Sequence, residues 1–499
     1  MQITKPHVAL LASPGMGHLI PVLELAKRLV THHNLQVTVF VLATDTSSDH
    51  LSQLLNSQNH DFLNIVLLPT TDISGLVDPD ASIVTKLVVM MHQSLPALRS
   101  TISAMKFRPM ALIVDLFGTE AMKVADEFGM LKYVFIASNA WFLAVTIYAP
   151  AVDKNELAVH VNQQQVLKIP GCKPVEFQDT LEAFLDPNDP MYDGFLHAGM
   201  EISAADGIIV NTWEELEFTT LEALRDNTKL GRIAKAPVYP IGPLVRQAAP
   251  QALESKVLDW LDMQPTESVI YVSFGSGGRL PAKQMIELAW GLEQSQQRFI
   301  WVVRPPLEND ISGSFLTLGK GYDSDGSQDY LPDGFLTRTH NIGLVFPMWA
   351  PQAEILQHPS VGGFLSHCGW NSTLESINNG IPMISWPLYA EQKMNATMLT
   401  EELGVAVRSK ELPSESMVER QEIEMMVRKI MVDKEGHAIR NKVKELKLSA
   451  EKASSKGGSS YNSLSQMTKH CQNMLEGKGS RCLVRLHDEL RTMEIYATN

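Results

Sequence analysis

A run of small polar residues, SHCGWNSTLE at 366–375, brings a histidine, a tryptophan and a carboxylate to a point where a strand is predicted to pass into a helix. The apolar segment VGGFL before the run is typical of a strand, and LESINNG at its end is typical of a short helix closed by glycine. Asn371, Ser372 and Thr373 are residue types that cap helices, and Gly369 lets the backbone approach a ligand closely. The N–H groups and dipole of such a helix start predict an anion site, above all for phosphate.

Two further side chains of the run extend this predicted site. His367 would add a donor beside the phosphate. Glu375 would lie about one turn further on, where its carboxylate suits the hydroxyls of a ribose. The ordinary alternative is a capped helix beside a buried Trp370, since capping residues need no ligand. The run by itself leaves both interpretations open.

A second candidate centre lies in the first part of the chain. SPGMGH places His18 on a glycine-rich turn between a strand and a helix, and IVDLF places Asp115 at the end of another strand. Because ligands bind beyond the carboxyl ends of parallel strands, we expect the two side chains within hydrogen-bond reach. Such a pair resembles the base and orienting carboxylate of a catalytic triad, with an acceptor hydroxyl in place of the serine. The ordinary alternatives are a loop histidine and a helix-capping aspartate.

These candidates need elements to position them, and the chain has a regular alternation of short apolar runs and longer amphipathic segments. Strands are predicted in the first part at 7–12, 37–42, 111–115, 133–136 and 207–211. The apolar residues between the first two strands have helical spacing: Leu19, Val22, Leu23, Ala26, Leu29 and Val30. This order is typical of βαβ units and predicts a parallel sheet with helices on both faces.

The alternation breaks at a segment rich in proline, alanine and glutamine, which predicts a linker at 241–257. It then resumes, with strands predicted at 268–274, 298–303, 342–347, 361–366 and 381–385. We therefore predict an α/β fold of two Rossmann-like parallel-sheet domains, at 1–240 and 258–475. The tail at 476–499 would be flexible or pack on the first domain, and the Gly/Ser/Asp-rich segment at 305–330 would be a mobile surface loop.

Composition limits the class of partner. The formal net charge of the 499 residues is −14, which argues against nucleic acid or anionic membrane as the main partner. Four scattered cysteines without a C-x-x-C pair suggest neither a zinc site nor a disulfide framework, and favour a reducing compartment. No uninterrupted apolar stretch of about 18 residues predicts a membrane span, and the interrupted N-terminal apolar run does not resemble a secretory signal.

The segments around the polar run carry a family resemblance. WAPQAEILQHPS precedes the run and WPLYAEQ follows it, so the whole stretch covers 349–392. Further matching segments are SPGMGH, NTWEELE, PVYPIGPL, YVSFGSGG and LPDGFL. The chain resembles the plant secondary-product UDP-glycosyltransferases of glycosyltransferase family 1, over nearly its whole length. That resemblance implies the GT-B fold, in which two such domains face a central cleft.

The resemblance implies a set of donor-binding residues: Ser276, Trp349, Ala350, Gln352, His367, Gly369, Trp370, Asn371, Ser372, Glu375, Glu391 and Gln392. Trp349 would stack on uracil, with Ala350 and Gln352 beside it, and Glu375 would bind the ribose. The phosphates would be held at the polar run and at Ser276 of the FGSGG loop.

The donor sugar would be bound by Trp370, Glu391 and Gln392. In the family, a glutamine at the position of Gln392 is loosely associated with glucose. UDP-glucose would thus be a co-substrate, with no cofactor and no metal, since no D-x-D motif has suitable surroundings. The resemblance makes His18 the base and Asp115 its partner, and implies that an α-linked donor gives a β-glucoside.

The acceptor side is expected in the first domain. Its candidate walls are the segments at 88–95, 136–145 and 184–195, with Ser138, Asn139, Trp141 and Phe142 as candidate contacts. The detailed resemblance is to the subgroup that acts on monolignols and hydroquinone-like phenols, so a phenol, phenylpropanoid or flavonoid is the expected acceptor. We further expect a cytoplasmic, monomeric enzyme.

Two other functions compete with this interpretation. The first is an NAD(P)-dependent oxidoreductase on a doubly wound fold, but GMGH lacks the full G-x-G-x-x-G pattern. The second is a nucleotide-sugar-binding protein without catalysis, against which the presence of both His18 and Asp115 argues.

Overall fold

The structure is a computed structural model, and it describes residues 5–43, 61–69, 72–78, 81–246, 256–307, 330–411, 413 and 416–473. The loop predicted at 305–330 therefore falls almost wholly outside the described residues. The tail at 476–499 and most of the linker at 241–257 also lie outside them. The predicted domain boundaries stay a prediction.

A first sheet of seven parallel strands has the order β3-β2-β1-β4-β5-β6-β7. Its strands are β1 His7–Ala12, β2 Gln36–Leu42, β3 Leu63–Leu68, β4 Ala111–Asp115, β5 Leu131–Ile136, β6 Gly207–Val210 and β7 Val238–Pro240. The central pair β1 and β4 is buried on both faces, and Leu10 lies opposite Ile113 in the register. Strands buried on both faces are near-continuously apolar, which is why they were predictable from sequence.

A second sheet of six parallel strands has the order β10-β9-β8-β11-β12-β13. Its strands are β8 Val269–Ser273, β9 Arg298–Val303, β10 Gly343–Pro347, β11 Val361–Ser366, β12 Met383–Ser385 and β13 Ala406–Arg408. We call the first sheet with its helices the front half and the second sheet with its helices the rear half. The predicted α/β fold of two parallel sheets is confirmed.

Helices cover the faces of both sheets. The front half has α-helices at Met16–His33, Ile83–Ala104, Met122–Glu127, Ala140–Tyr148, Lys154–Gln163, Pro190–Ser203, Phe218–Arg225 and Gly231–Ala234. The rear half has α-helices at Lys256–Asp262, Ala282–Ser295, Phe335–Thr339, Gln352–Gln357, Trp370–Asn379, Gln392–Thr397, Arg420–Met431 and Lys434–Ser454. Short 3₁₀ segments are Leu116–Ala121, Ala149–Ala151, Phe177–Asp179 and Glu182–Phe184, and Met398–Glu402 is a π-helical turn. None of the described helices is long and apolar enough to cross a bilayer.

The helix Met16–His33 shows how the pattern positions the first candidate residue. The apolar residues predicted at helical spacing, from Leu19 to Val30, are buried against the first sheet. The turn before the helix contains Gly15, whose φ of 100° lies in the region that favours glycine. The sharp turn from β1 into this helix places His18 at the carboxyl edge of the sheet.

Three strands, β3, β7 and β13, were not predicted from sequence. All three lie at sheet edges, β7 and β13 have only three residues each, and β3 is partly exposed along most of its length. Short or half-exposed edge strands lack the continuous apolar signal of central ones.

The end of the described chain returns to the front half. The helix over 459–473 buries Leu464, Met467 and Cys471 against the first sheet. The hydroxyl of Tyr133 on β5 lies 2.8 Å from Nδ1 of His470. This helix connects the rear half back to the front half, in addition to the chain segment between the sheets.

Candidate active site

A cavity of about 810 Å³ lies between the two halves. Its front wall includes His18, Phe117 and Phe142, and its rear wall includes the loop after β8, the start of the helix Trp370–Asn379 and the turn around Glu391. Both walls lie beyond the carboxyl ends of parallel strands, where ligands bind in open α/β sheets.

His18 and Asp115 lie within hydrogen-bond distance of each other, as the sequence predicted. Because β1 and β4 are neighbours, Nδ1 of His18 lies 2.8 Å from Oδ2 of Asp115. The Asp115 side chain is fully buried, whereas that of His18 keeps 19% exposure and lines the cavity. Burial disfavours the imidazolium, but the Asp115 carboxylate and, further away, Glu391 outweigh it and raise the pKa of His18. With Nδ1 beside Asp115, Nε2 is the ring nitrogen on the side away from that carboxylate.

The helix start at the polar run differs in detail from the expectation. Asn371, Ser372 and Thr373 were expected to cap the helix, but it begins at Trp370 with Gly369 as N-cap. Because Gly369 has no side chain, the N–H groups of the first turn stay available to a ligand. Cys368, just before it, has a φ of 63°, which is costly for a residue with a Cβ.

His367 is buried on the rear wall of the cavity. Burial and the nearby positive charge of Arg304 lower the pKa of His367 to about 4. The ring is therefore neutral near pH 7 and has one N–H to donate, rather than a charge to offer. The turn also packs tightly around this ring, since a Cβ on Gly275 would lie 2.5 Å from it.

A buried hydrogen-bonded group joins three of the predicted donor residues. Nε2 of Gln352 donates to Oγ of Ser372 at 3.0 Å and to Oε2 of Glu375 at 2.6 Å. Burial raises the pKa of Glu375 to about 7, although the bond from Gln352 and the charge of Arg246 work to lower it. Gln352 thus fixes the orientation of a carboxylate that lines the cavity.

Trp349 and Ala350 lie at the mouth of the cavity. The Trp349 side chain is 46% exposed, which is unusual for a large aromatic ring, and it lines the cavity. Ala350 is buried beside it and also lines the cavity. Met348, which precedes them, has a φ of 65°.

Glu391 and Gln392 lie where the two halves meet. Oε1 of Gln392 accepts the N–H groups of Leu388 and Tyr389 at 2.9 and 3.2 Å, so its amide nitrogen is the end left for a ligand. Oε1 of Glu391 accepts from Oγ of Ser138 in the front half at 3.1 Å.

Two more hydrogen bonds connect the predicted donor turn to the front half. Nδ2 of Asn371 donates to the carbonyl of Gly17 at 3.0 Å, next to His18 in the chain. Nε1 of Trp370 donates to the carbonyl of Asn211 at 2.7 Å. The residue predicted as base and the predicted phosphate turn therefore share one crevice.

Of the four candidate acceptor contacts, the structure places two at the cavity. Ser138 and Phe142 line it. Asn139 is buried at the start of the helix Ala140–Tyr148, where its Oδ1 accepts from the N–H of Phe142 and its Nδ2 donates to Asn395 at 2.6 Å. Trp141 points into the core and is 1% exposed, so neither lines the cavity.

The predicted walls also shift. Residues 88–95 do not line the cavity; the preceding turn of the same helix does, through Ile83, Val84 and Leu87. Met191 and Phe195 contribute from the predicted segment 184–195. Sequence reasoning missed the cavity-lining cations Arg246, Arg304 and Lys393. For Arg304 a signal existed, because it directly follows β9 at the ligand-binding edge of the sheet.

Comparison with known proteins shows the family to which this chain belongs. The family model of UDP-glucoronosyl and UDP-glucosyl transferases matches residues 241–435. The chain is 56% identical to UDP-glycosyltransferase 72E1 of Arabidopsis thaliana, over 97% of this chain and all of that protein. It is 57% identical to anthocyanidin 3-O-glucosyltransferase 5 of Manihot esculenta, over 93% of this chain and 95% of that one. A crystal structure of TcCGT1 in complex with UDP superposes with a TM-score of 0.88 at 48% identity, covering 94% of this chain and all of that one.

The chain belongs to the plant UDP-glycosyltransferases. The glycosyltransferase has the GT-B fold and transfers a sugar from a UDP-sugar to small-molecule acceptors. The two alternative functions, an NAD(P)-dependent oxidoreductase and a binding protein without catalysis, are therefore wrong. The predicted family resemblance is confirmed.

Proposed function

We propose that this glycosyltransferase moves glucose from UDP-glucose to a hydroxyl of a small hydrophobic acceptor, with inversion to a β-glucoside. The observation that carries the proposal is the shared crevice, in which Asn371 Nδ2 donates to Gly17 O at 3.0 Å next to His18. A base on the front wall and a leaving-group site on the rear wall favour attack from the face opposite UDP. A single displacement of this kind inverts the anomeric carbon.

His18 acts as the general base in this proposal. Its Nε2 takes the proton of the acceptor hydroxyl while the acceptor oxygen bonds to the anomeric carbon. Asp115, 2.8 Å from Nδ1, holds the ring in the correct tautomer and stabilises the imidazolium that forms. The bond between the anomeric carbon and the β-phosphate oxygen breaks, and its electron pair leaves with UDP.

The leaving diphosphate is stabilised by the start of the helix Trp370–Asn379. Its uncapped N–H groups and dipole favour negative charge and are in place before reaction. Asn371, Ser372, Ser276 and the neutral ring of His367 add donors around it. We propose that this arrangement replaces a divalent ion, which predicts full activity after treatment with a chelator.

The rest of the donor would follow the order of residues along the rear wall. Trp349, with Ala350, takes the uracil, and the Gln352–Glu375 pair takes the ribose hydroxyls. Glu391 and Trp370, which both bond to the front half, take the sugar together with Gln392. The relative from Manihot esculenta is named as a glucosyltransferase, which supports glucose as that sugar.

The front wall favours a flat, apolar acceptor. Aromatic and aliphatic side chains dominate it, with few polar groups near His18, as expected for a phenolic compound. The same relative is named for anthocyanidin, a phenolic acceptor. Monomeric state and cytoplasmic location remain predictions of the sequence.

A screen of phenolic acceptors with UDP-glucose tests the proposal. Mass spectrometry should detect products heavier by one hexose, and proton NMR should assign the β configuration to them. Products with the α configuration would contradict inversion. Transfer from another UDP-sugar but not from UDP-glucose would contradict the donor assignment.

A further inference from the structure

The loop after β8 and the turn before Trp349 are joined by one side chain, Arg304. Arg304 directly follows the last residue of β9, and its guanidinium contacts both the loop after β8 and the turn before Trp349. Nη1 donates to the carbonyl of Ser276, and Nε donates to the carbonyl of Met348 at 3.2 Å. The N–H of Met348 is in turn bonded to the carbonyl of Val303 at 2.8 Å. The left-handed Met348 is therefore fixed on both sides by the end of β9.

The two segments that Arg304 joins carry opposite ends of the nucleotide site. Ser276 is one of the donors that the proposed function places around the diphosphate, and Met348 directly precedes the ring proposed to stack on uracil. Arg304 lines the cavity between them. Its positive charge is also close enough to His367 to help lower the pKa of that ring. The guanidinium is thus placed beside the proposed phosphate site.

Arg304 differs from the other two cations on the cavity wall in having no carboxylate near its charge among the described residues. Arg246 acts on the carboxylate of Glu375, and Lys393 acts on that of Glu182. Within the described residues, no carboxylate forms an ion pair with Arg304. The guanidinium is half-buried and stays protonated at neutral pH, and a partly desolvated charge without a counter-charge is costly. A bound anion would balance it.

We propose that Arg304 is the cation of the donor diphosphate subsite, with two of its nitrogens held by protein carbonyls and Nη2 donating to a phosphate oxygen of the UDP-sugar. The contact strengthens as the anomeric bond breaks and charge collects on UDP, and no proton leaves the guanidinium. This inference rests on the donor site proposed above. It adds a fixed charge to a site whose other groups are neutral donors.

The test compares UDP with uridine, which lacks the phosphates, by calorimetry on the full-length enzyme. Arg304→Gln keeps one amide nitrogen at the level of Nε, which can still donate to the Met348 carbonyl, but removes the charge. We expect UDP to bind roughly 10–100-fold more weakly and uridine to bind nearly as in the wild type, since charge-assisted hydrogen bonds are the strong ones. Arg304→Lys should recover part of the UDP affinity. The dependence of UDP affinity on salt should also be smaller in Arg304→Gln.

Two controls separate the possible failures. Arg279→Gln removes a neighbouring charge from a side chain that does not line the large cavity, so it should leave the ratio of UDP to uridine affinity nearly unchanged. Equal ratios in Arg304→Gln and wild type, or equal losses in Arg279→Gln and Arg304→Gln, would overturn the proposal. Glu375→Gln should weaken both ligands; if it weakens neither, the donor site itself is misplaced, whatever Arg304 does.

Discussion

The two walls of the cavity are built in different ways. The rear wall takes most of its residues from one stretch, 349–392, together with the loop after β8 and the end of β9 with Arg304. The front wall takes side chains from helices and loops spread between Met16 and Phe195. We propose that the rear wall binds the nucleotide sugar, whose shape is constant, through backbone groups in constant positions. The proposed acceptor wall needs only apolar side chains that form a suitable shape.

Backbone strain marks the same difference. Met348, Cys368 and Ala390 all have positive φ, and each directly precedes a residue proposed to bind the donor. Residues with a Cβ adopt such angles at a cost of about 1–3 kcal/mol, and these conformations persist where the surrounding structure enforces them. The rear wall thus has a defined backbone geometry at a cost in folding stability. The helix that carries Phe142 on the front wall has no residue with positive φ.

The largest effect should come from His18, the front-wall side chain that is held in place by Asp115. His18→Ala should lower kcat/KM by about 10²–10⁴-fold, the range for loss of a general base. Binding of UDP, measured by calorimetry, should stay near the wild-type value because His18 lies on the other wall. His340→Ala, an exposed histidine bonded to its own helix, is the matched control and should keep full activity. Normal turnover by His18→Ala would remove the assignment.

Asp115→Asn should have the next largest effect, on the order of 10²-fold in kcat or more. The Asp115 carboxylate raises the pKa of His18 against the effect of burial, so its removal should lower that pKa. A general base works in its neutral form, and the acid limb of the kcat/KM profile should therefore move to lower pH. Adding His18→Ala to this variant should cost far less than His18→Ala alone, since the two residues act as a unit. Selective loss of UDP binding would instead place Asp115 in the donor site.

Glu375→Gln tests the rear wall. It should weaken the binding of uridine by about 10–100-fold, because the ribose hydroxyls lose a charged hydrogen-bond acceptor. The pKa of Glu375 is raised to about 7, so in the wild type the carboxylate is protonated below that pH. Uridine should bind more tightly as pH rises toward 7 and level off above it. The variant should lose this dependence.

A neighbouring carboxylate gives the matched control for that titration. Glu354 contributes to the raised pKa of Glu375, so Glu354→Gln should move the change in uridine affinity to lower pH without removing it. A pH-independent affinity in the wild type would show that Glu375 does not bind the ribose.

The residues of the rear wall could be predicted from sequence better than those of the front wall, because they lie closer together in the chain. The residues proposed to bind the donor could be placed at the cavity from sequence because most of them lie close together in the chain. Asn139 and Trp141 could not be separated from Ser138 and Phe142, since which side of a short buried helix faces a cavity depends on its packing. That helix is apolar on all sides, and its orientation is set by the N–H groups of Ala140 and Trp141 bonding to Glu217 at 2.9 and 3.0 Å.

Arg304 and the helix over 459–473 show a second limit. A charged residue after a strand marks an edge position, but its partners, the carbonyls of Ser276 and Met348, lie 28 and 44 residues away. The return of the chain to the first sheet likewise depends on contacts such as Tyr133–His470, separated by 337 residues. Pairings at such distances leave no local pattern in a single sequence.

The smallest effect should come from the front wall, where several apolar side chains contact the cavity and the loss of one leaves the others in place. Phe142 lines the cavity and packs edge-to-face on Phe195, with ring centroids 6.1 Å apart. Phe142→Ala should lower kcat/KM for a flat phenol by about tenfold, the value of one lost aromatic contact, and should leave UDP affinity unchanged. Trp141→Phe is the control: its ring is buried away from the cavity, so it should lower the melting temperature and leave the KM of the acceptor unchanged. If Trp141→Phe raised that KM while Phe142→Ala did not, the helix would face the acceptor with its other side.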